Sequence, residues 1–214
     1  MRQNIRAALW VAAAFWTGAA GQAFGRLNVI ALSAPDVNKG IPLMQALSRR
    51  KSDRDFSDQK LSLQQLSEVL WAADGVNRDD GKRTAPSAMG RYPVDIYVAL
   101  PEGVYLYEPL KRDLVPVVEG DFRGTTGKQD FVAGAPLNLV FVADLAKLSG
   151  PEEQTLQWAA MESGHQAQNV YLYCASEGLG AVVRGSIDGE KFGKILQLRA
   201  RQRVLAAQTI GYPR

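Results

Sequence analysis

Cysteine and histidine are almost absent from these 214 residues, with Cys174 and His165 each standing alone. A single cysteine excludes an intrachain disulfide, and one of each cannot assemble a zinc site. The carboxylates show no metal-ligand spacing either, so no metal site is expected. Cys174 sits in the apolar run Y-L-Y-C-A, where a small buried hydrophobe is the expected role rather than a nucleophile. Net charge is nearly balanced at +3, and loss of Arg2 and Arg6 would bring it to about +1, so the pI near 9.0 gives little support for nucleic-acid binding. No apolar run reaches the ~20 residues of a membrane span. No G-x-G-x-x-G opens a helix after a strand; G-L-G-A-V-V-R-G follows a helix, which excludes a Rossmann reading. There is no internal repeat and no catalytic triad or carboxylate pair. Chemistry carried by a cofactor needs neither of the last two.

What is present is an ordinary globular composition, 46% apolar and 22% charged, enough for one domain with a core. Two arginines in Met1 to Arg6 precede the apolar Ala7 to Ala20, and small residues follow with a cut expected after Ala23. That layout is a secretory signal peptide over 1–23, with an uncleaved anchor as the other reading. It predicts an exported, periplasmic or extracellular protein. Residues 24–40, with Pro35, Asn38 and Gly40, form a loose lead-in that wraps or dangles. The domain is 41–214.

Within it, Leu43 and Leu47 predict an amphipathic helix over Pro42 to Arg49. Ser62 with Gln65 makes a capping box, Leu63, Leu66, Leu70 and Ala73 continue at helical spacing, and Gly75 stops the helix. Val94 to Leu100 reads as a strand, Val104 to Tyr107 with Leu114 to Val118 as a hairpin, and Leu137 to Ala143 as a buried strand. A short helix is expected around Gln129. Pro151 to Glu177 reads as one long helix, N-capped by Ser149, with a bend near Gly164. A short strand at Ala181 to Val183, a helix at Asp188 to Leu196 and a closing strand at Arg203 to Ile210 complete an irregular mix, hence α+β.

Two stretches carry chemistry. In R-K-S-D-R-D-F, Arg50, Lys51, Ser52 and Arg54 crowd a helix end. Guanidinium forks and a hydroxyl suit a phosphate monoester, while a solvated basic helix end favoured by the macrodipole is the plainer reading. In R-T-A-P-S-A-M-G-R-Y-P, the small residues Ser87, Ala88 and Gly90 let backbone approach a flat ligand; an ordinary surface loop is the alternative.

These two stretches, then Q-N-V-Y-L-Y-C-A-S-E-G-L-G-A-V-V-R-G and Q-T-I-G-Y-P, occur in an order that resembles the nitroreductase family of flavoproteins, most of all its SagB/ThcOx-type dehydrogenase branch. The resemblance implies a nitroreductase-like fold, a central mostly antiparallel sheet packed by helices, that forms homodimers. It implies FMN as cofactor and two-electron hydride transfer at flavin N5. Arg50, Lys51, Ser52 and Arg54 match the family's phosphate motif, its last cation reaching toward the pyrimidine side. Pro86, Ser87, Ala88 and Gly90 match a loop that comes from the partner subunit, with Gly90 where many members have Asn. Gln129 matches a family Gln or Asn before the core strand. Val183, Arg184 and Gly185 match the turn whose backbone N–H faces N5, with an exposed Arg184 altering what stacks over the ring. Arg214 is placed to supplement the phosphate cations. The rival expectation is a non-catalytic protein that keeps this fold while binding a flavin or another ligand.

Overall fold

The computed structural model describes residues 27–214; the expected signal peptide lies outside them. The lead-in contributes a two-residue strand, β1 (Ile30–Ala31), and is followed by α1 (Leu43–Arg49) and α2 (Leu63–Asp74). Strands β2 (Val94–Leu100), β3 (Gly103–Glu108) and β4 (Asp113–Glu119) form a meander, then α3 (Phe131–Gly134) precedes β5 (Leu137–Asp144). The long α4 (Glu152–Glu177), β6 (Gly180–Arg184), α5 (Gly189–Ile195) and β7 (Gln202–Gly211) complete the chain. All strands join one sheet in the order β1-β4-β3-β2-β5-β7-β6, and every neighbouring pair is antiparallel. β1 and β6 are therefore its two opposite edges.

Strand periodicity explains the layers. Along β2, Val94, Ile96 and Val98 face one cluster, while Tyr97 and Ala99 face another; along β5, Leu137, Leu139 and Phe141 alternate with Val140 and Val142 in the same way. The first face is covered by α2 and α4, through Leu66, Leu70, Ala159, Val170 and Tyr171. The second is covered by α5 through Phe192 and by Leu196. β5 is buried at every position, and its sequence is apolar throughout except for Asn138 and Asp144.

The local signals in α2 hold: Ser62 accepts from Gln65 N, the Gln65 side chain returns to the Ser62 N–H, and the helix ends at Gly75, where any side chain would run into the Trp71 ring. Three details differ from the sequence expectation. α4 is one uninterrupted helix through Gly164, and its N-cap is Pro151 rather than Ser149, because fixed φ suits a helix start and Glu152 and Glu153 meet the positive end of the dipole. The lead-in is pinned: Ile30 pairs with Leu114 on β4, Ser33 N bonds Ser67 Oγ, and Lys39 bridges Glu68 and Glu177 at 2.6 and 2.8 Å. Burial alone would push the Glu68 carboxyl up, but donors from Gln64, Lys39, Tyr173 and Asp36 N hold it at about 2. Finally, α1 buries only Ala46, and its Leu43, Met44 and Leu47 are exposed.

Candidate functional site at the β6 edge

β7 occupies one side of β6, and the basic segment is stitched to the other. Asp53 N donates to Ala181 O at 3.0 Å, Phe56 bridges Pro213, and Ser57 N donates to Tyr212 O at 2.9 Å. Gly180 permits this approach, since a Cβ there would stand 3.0 Å from Asp53 Cβ and 3.2 Å from the Phe56 ring. The fold thus gathers Arg50 to Phe56, the β6 strand and the residues around Pro213 at one sheet edge. Beside them is a cavity of about 270 Å³ lined by Arg49, Lys51, Tyr171, Cys174, Leu179 and Pro213, among others.

The cations in the cluster are unequal. Lys51 pairs with Asp53 at 2.9 Å, and Arg214 approaches Asp55 at 4.0 Å. Arg50 lies over the Tyr171 ring, 5.3 Å from its centroid, and Arg54 makes only a 3.5 Å bond to Ser52 O. Among the described residues neither Arg50 nor Arg54 has a carboxylate partner. Ser52 Oγ stands 3.0 Å from Tyr171 Oη, and Tyr171 Oη accepts from Val183 N at 2.8 Å. Tyr171 is buried and was absent from the sequence expectation, because helical spacing alone groups it with the core residues of α4.

Val183 and Gly185 are exposed at the end of β6, and nothing stands where a Gly185 side chain would be. Arg184 requires a correction. It is buried on the opposite face of β6 from Val183, at 6% exposure, so it stacks over nothing outside. Its Nη1 donates to Thr126 O at 2.8 Å, and its Nη2 to Asn138 Oδ1 at 3.1 Å and Thr209 Oγ1 at 2.9 Å. Burial pulls its pKa down to about 10, and no carboxylate compensates it among the described residues. Gly127 makes the room, since a Cβ there would collide with the guanidinium. Gln129 is half-buried near this end of β6, its Nε2 donating to Ser186 Oγ and its Oε1 unpartnered.

The Pro86–Gly90 loop lies elsewhere in the same chain. Thr84 Oγ1 donates to Trp71 O, Tyr92 N to Ser87 Oγ at 2.8 Å, and Arg83 pairs with the buried Asp74. Glu162 on α4 stands beside Ser87 and accepts weakly from Val94 N at 3.4 Å. Burial pushes the Glu162 carboxyl up to about 7 and that of Asp74 up to about 6, despite Arg83. The tip is strained: Met89 and Tyr92 hold φ of 53° and 46°, and Met89 is exposed. From Glu162 to Tyr171 is roughly 13 Å along α4. One chain therefore does not bring this loop to the basic cluster. Among the described residues no group of acidic, histidine and cysteine side chains is arranged to hold a metal, and no helix is long and apolar enough to cross a membrane.

A crystal structure from Ralstonia eutropha JMP134 that carries a provisional nitroreductase name superposes with a TM-score of 0.83 at 47% identity, covering 87% of this chain and 90% of that one. A Methanocaldococcus jannaschii protein, also provisionally named a nitroreductase, is 33% identical over 183 residues, 80% of this chain and 92% of its own length. A Desulfovibrio desulfuricans structure described as a nitroreductase in complex with FMN shares the fold at a TM-score of 0.59 and 21% identity, covering 81% and 87%. Residues 47–212 match the profile of the Nitroreductase family. With the antiparallel sheet, the basic segment on β6 and these likenesses in hand, the chain belongs to the nitroreductase family.

Proposed function

We propose that this protein is an FMN-dependent oxidoreductase of the SagB/ThcOx-type branch, working as a homodimer outside the cytoplasm. The observation that carries the FMN assignment is the pair of guanidinium groups, Arg50 and Arg54, left without carboxylates on the segment stitched to the β6 edge. Two forks and the Ser52 hydroxyl match the charge and the oxygens of a phosphate dianion. Lys51, already paired with Asp53, adds less. At the end of β6, Val183 offers an exposed apolar side chain and Gly185 an open backbone, a surface on which a flat ring can lie. Behind it, the charge of Arg184 favours negative charge gathering at the ring's edge. When bound, FMN supplies two-electron chemistry by hydride transfer at N5.

The dimer reading rests on the layout of α4. Its buried stripe runs from Glu162, on the β2 flank, to Tyr171, on the β6 flank. Its opposite face exposes Met161, Gly164 and Gln168, and Leu43, Met44 and Leu47 of the adjacent α1 are exposed too. A two-fold axis through the middle of that face exchanges the two ends of α4. It would bring the partner's Pro86–Gly90 loop to this chain's basic cluster, closing each site with both subunits. Export rests on the leader-like residues 1–23 alone.

The test is spectroscopic. The mature chain, starting after Ala23, is titrated with FMN and then offered NADH, NADPH or dithionite. Saturable FMN binding, bleaching of the flavin absorbance on reduction and a dimer by light scattering are expected. A colourless protein that takes up no FMN refutes the assignment. FMN that binds yet accepts no electrons leaves the non-catalytic binding protein as the reading.

A further inference from the structure

We infer that Tyr171 is a positioning residue that aims the Ser52 hydroxyl at a phosphate monoester and so makes the site select phosphorylated over unphosphorylated ligand. The inference rests on the flavin reading above and adds to it a role for a residue not among the expected cofactor contacts.

The direction of the hydrogen bonds carries it. Val183 N–H can only donate, and it donates to Tyr171 Oη at 2.8 Å. The phenol has one proton of its own, and Ser52 Oγ at 3.0 Å is the other polar atom bonded to that oxygen. Either hydroxyl can donate in that contact; we assign the phenol's proton to Ser52 Oγ, the acceptor it has among the described residues, which leaves the serine's proton free to point outward. The chain then runs Val183 N–H to Tyr171 O–H to Ser52 O–H, every donor aimed from the strand toward the exposed basic cluster. Each bond polarises the next, so an acceptor at the outer end is favoured more than one isolated hydroxyl would favour it. An anion is the acceptor such a chain fits, and it meets the guanidinium of Arg50, which lies over the ring of the same tyrosine. One buried side chain thus sets both the hydroxyl and one of the cations.

The experiment compares FMN with riboflavin, which lacks only the phosphate, on wild type, Tyr171→Phe, Ser52→Ala and the double variant, by quenching of flavin fluorescence. Tyr171→Phe keeps the ring under Arg50, removes the relay and frees the Val183 N–H, an effect that Ser52→Ala, which leaves the tyrosine in place, does not share. Expected is a five- to tenfold weaker FMN affinity, with riboflavin affinity unchanged. Ser52→Ala, at an exposed position that does not threaten folding, gives a similar loss, and the double variant loses no more than either alone. Equal weakening of FMN and riboflavin in Tyr171→Phe, or losses that add in the double variant, overturns the inference and leaves the flavin reading intact. Wild type that binds neither flavin overturns the flavin reading and this inference with it.

Discussion

The guanidinium of Arg184 lies inside the protein, surrounded by the Thr126 carbonyl, the Asn138 amide oxygen and the Thr209 hydroxyl. Those of Arg50 and Arg54 belong to the segment on the outer edge of the same strand, and no acid among the described residues answers them. The same functional group is therefore an internal brace in one place, and in the other it keeps the unpaired donors that the proposed anion receptor requires. What separates them is where their donors are spent. Arg184 has spent donors of both terminal nitrogens on its own fold, though its Nε is unpartnered, whereas an anion receptor must keep its donors free.

The sharpest way to break this contrast is to remove the brace. Arg184→Ala removes three buried hydrogen bonds, stranding the Thr126 carbonyl while Asn138 Oδ1 keeps its bond from Thr209, and should cost about 3 kcal/mol of stability, read from the urea unfolding midpoint. Gly127→Ala, which crowds the same guanidinium, should move that midpoint in the same direction by less. If both variants unfold like wild type, Arg184 is no brace.

The receptor arginines should behave in reverse. Arg50→Ala with Arg54→Ala should leave unfolding within about 0.5 kcal/mol of wild type while weakening FMN about a hundredfold, ~2.7 kcal/mol. An unchanged affinity would show that the cluster is only a solvated helix end.

Glu162 sharpens the comparison with a buried group of the other sign. Its folded pKa, about 7, lies above the ordinary 4.5, so the folded protein holds the proton more tightly than the unfolded chain. Its contribution is fully present below about pH 4.5, declines as pH rises to about 7, and is flat above. Asp74, raised from 3.8 to about 6, declines over a slightly lower window. Glu162→Gln should flatten the upper part of this fall relative to wild type, measured as unfolding free energy between pH 4 and 8. A wild-type profile that rises through the same window contradicts the assignment. Glu68 opposes it only at the acid end, because its depressed pKa gives stability present above about 4.5 and lost as pH falls toward 2.

The smallest effect is expected at Lys51. Its ammonium is exposed and already paired with Asp53, so Lys51→Ala should change FMN affinity less than about threefold. A larger loss would place it among the receptors.

How much of this the residues announce depends on the range of the interactions involved. The capping box of α2, the β2 strand and the β3–β4 hairpin are written within a few positions, and the sequence expectation meets them there. The burial of Arg184 is not local: its partners lie 58, 46 and 25 residues away, and a glycine at 127 is the one nearby hint. Tyr171 falls in an apolar helical stripe that looks like core, and it is core; its hydroxyl becomes informative only when Ser52 and Val183 arrive beside it. α1 misleads in the opposite sense, since Leu43 and Leu47 have the spacing of a buried face yet stand exposed. The two stretches singled out for chemistry are both neighbours of α4, but at Glu162 and at Tyr171, nine residues apart, and spacing along the sequence does not record that separation.

The sheet order fixes how far apart the two ends of the described fold's strand array lie. β1, the first strand after residue 27, is one margin of the sheet, and β6, with its cations, is the other. Six inter-strand steps of ~4.8 Å separate them by roughly 29 Å. The strand by which the described chain enters the sheet and the strand that carries the basic segment therefore occupy opposite margins of the fold.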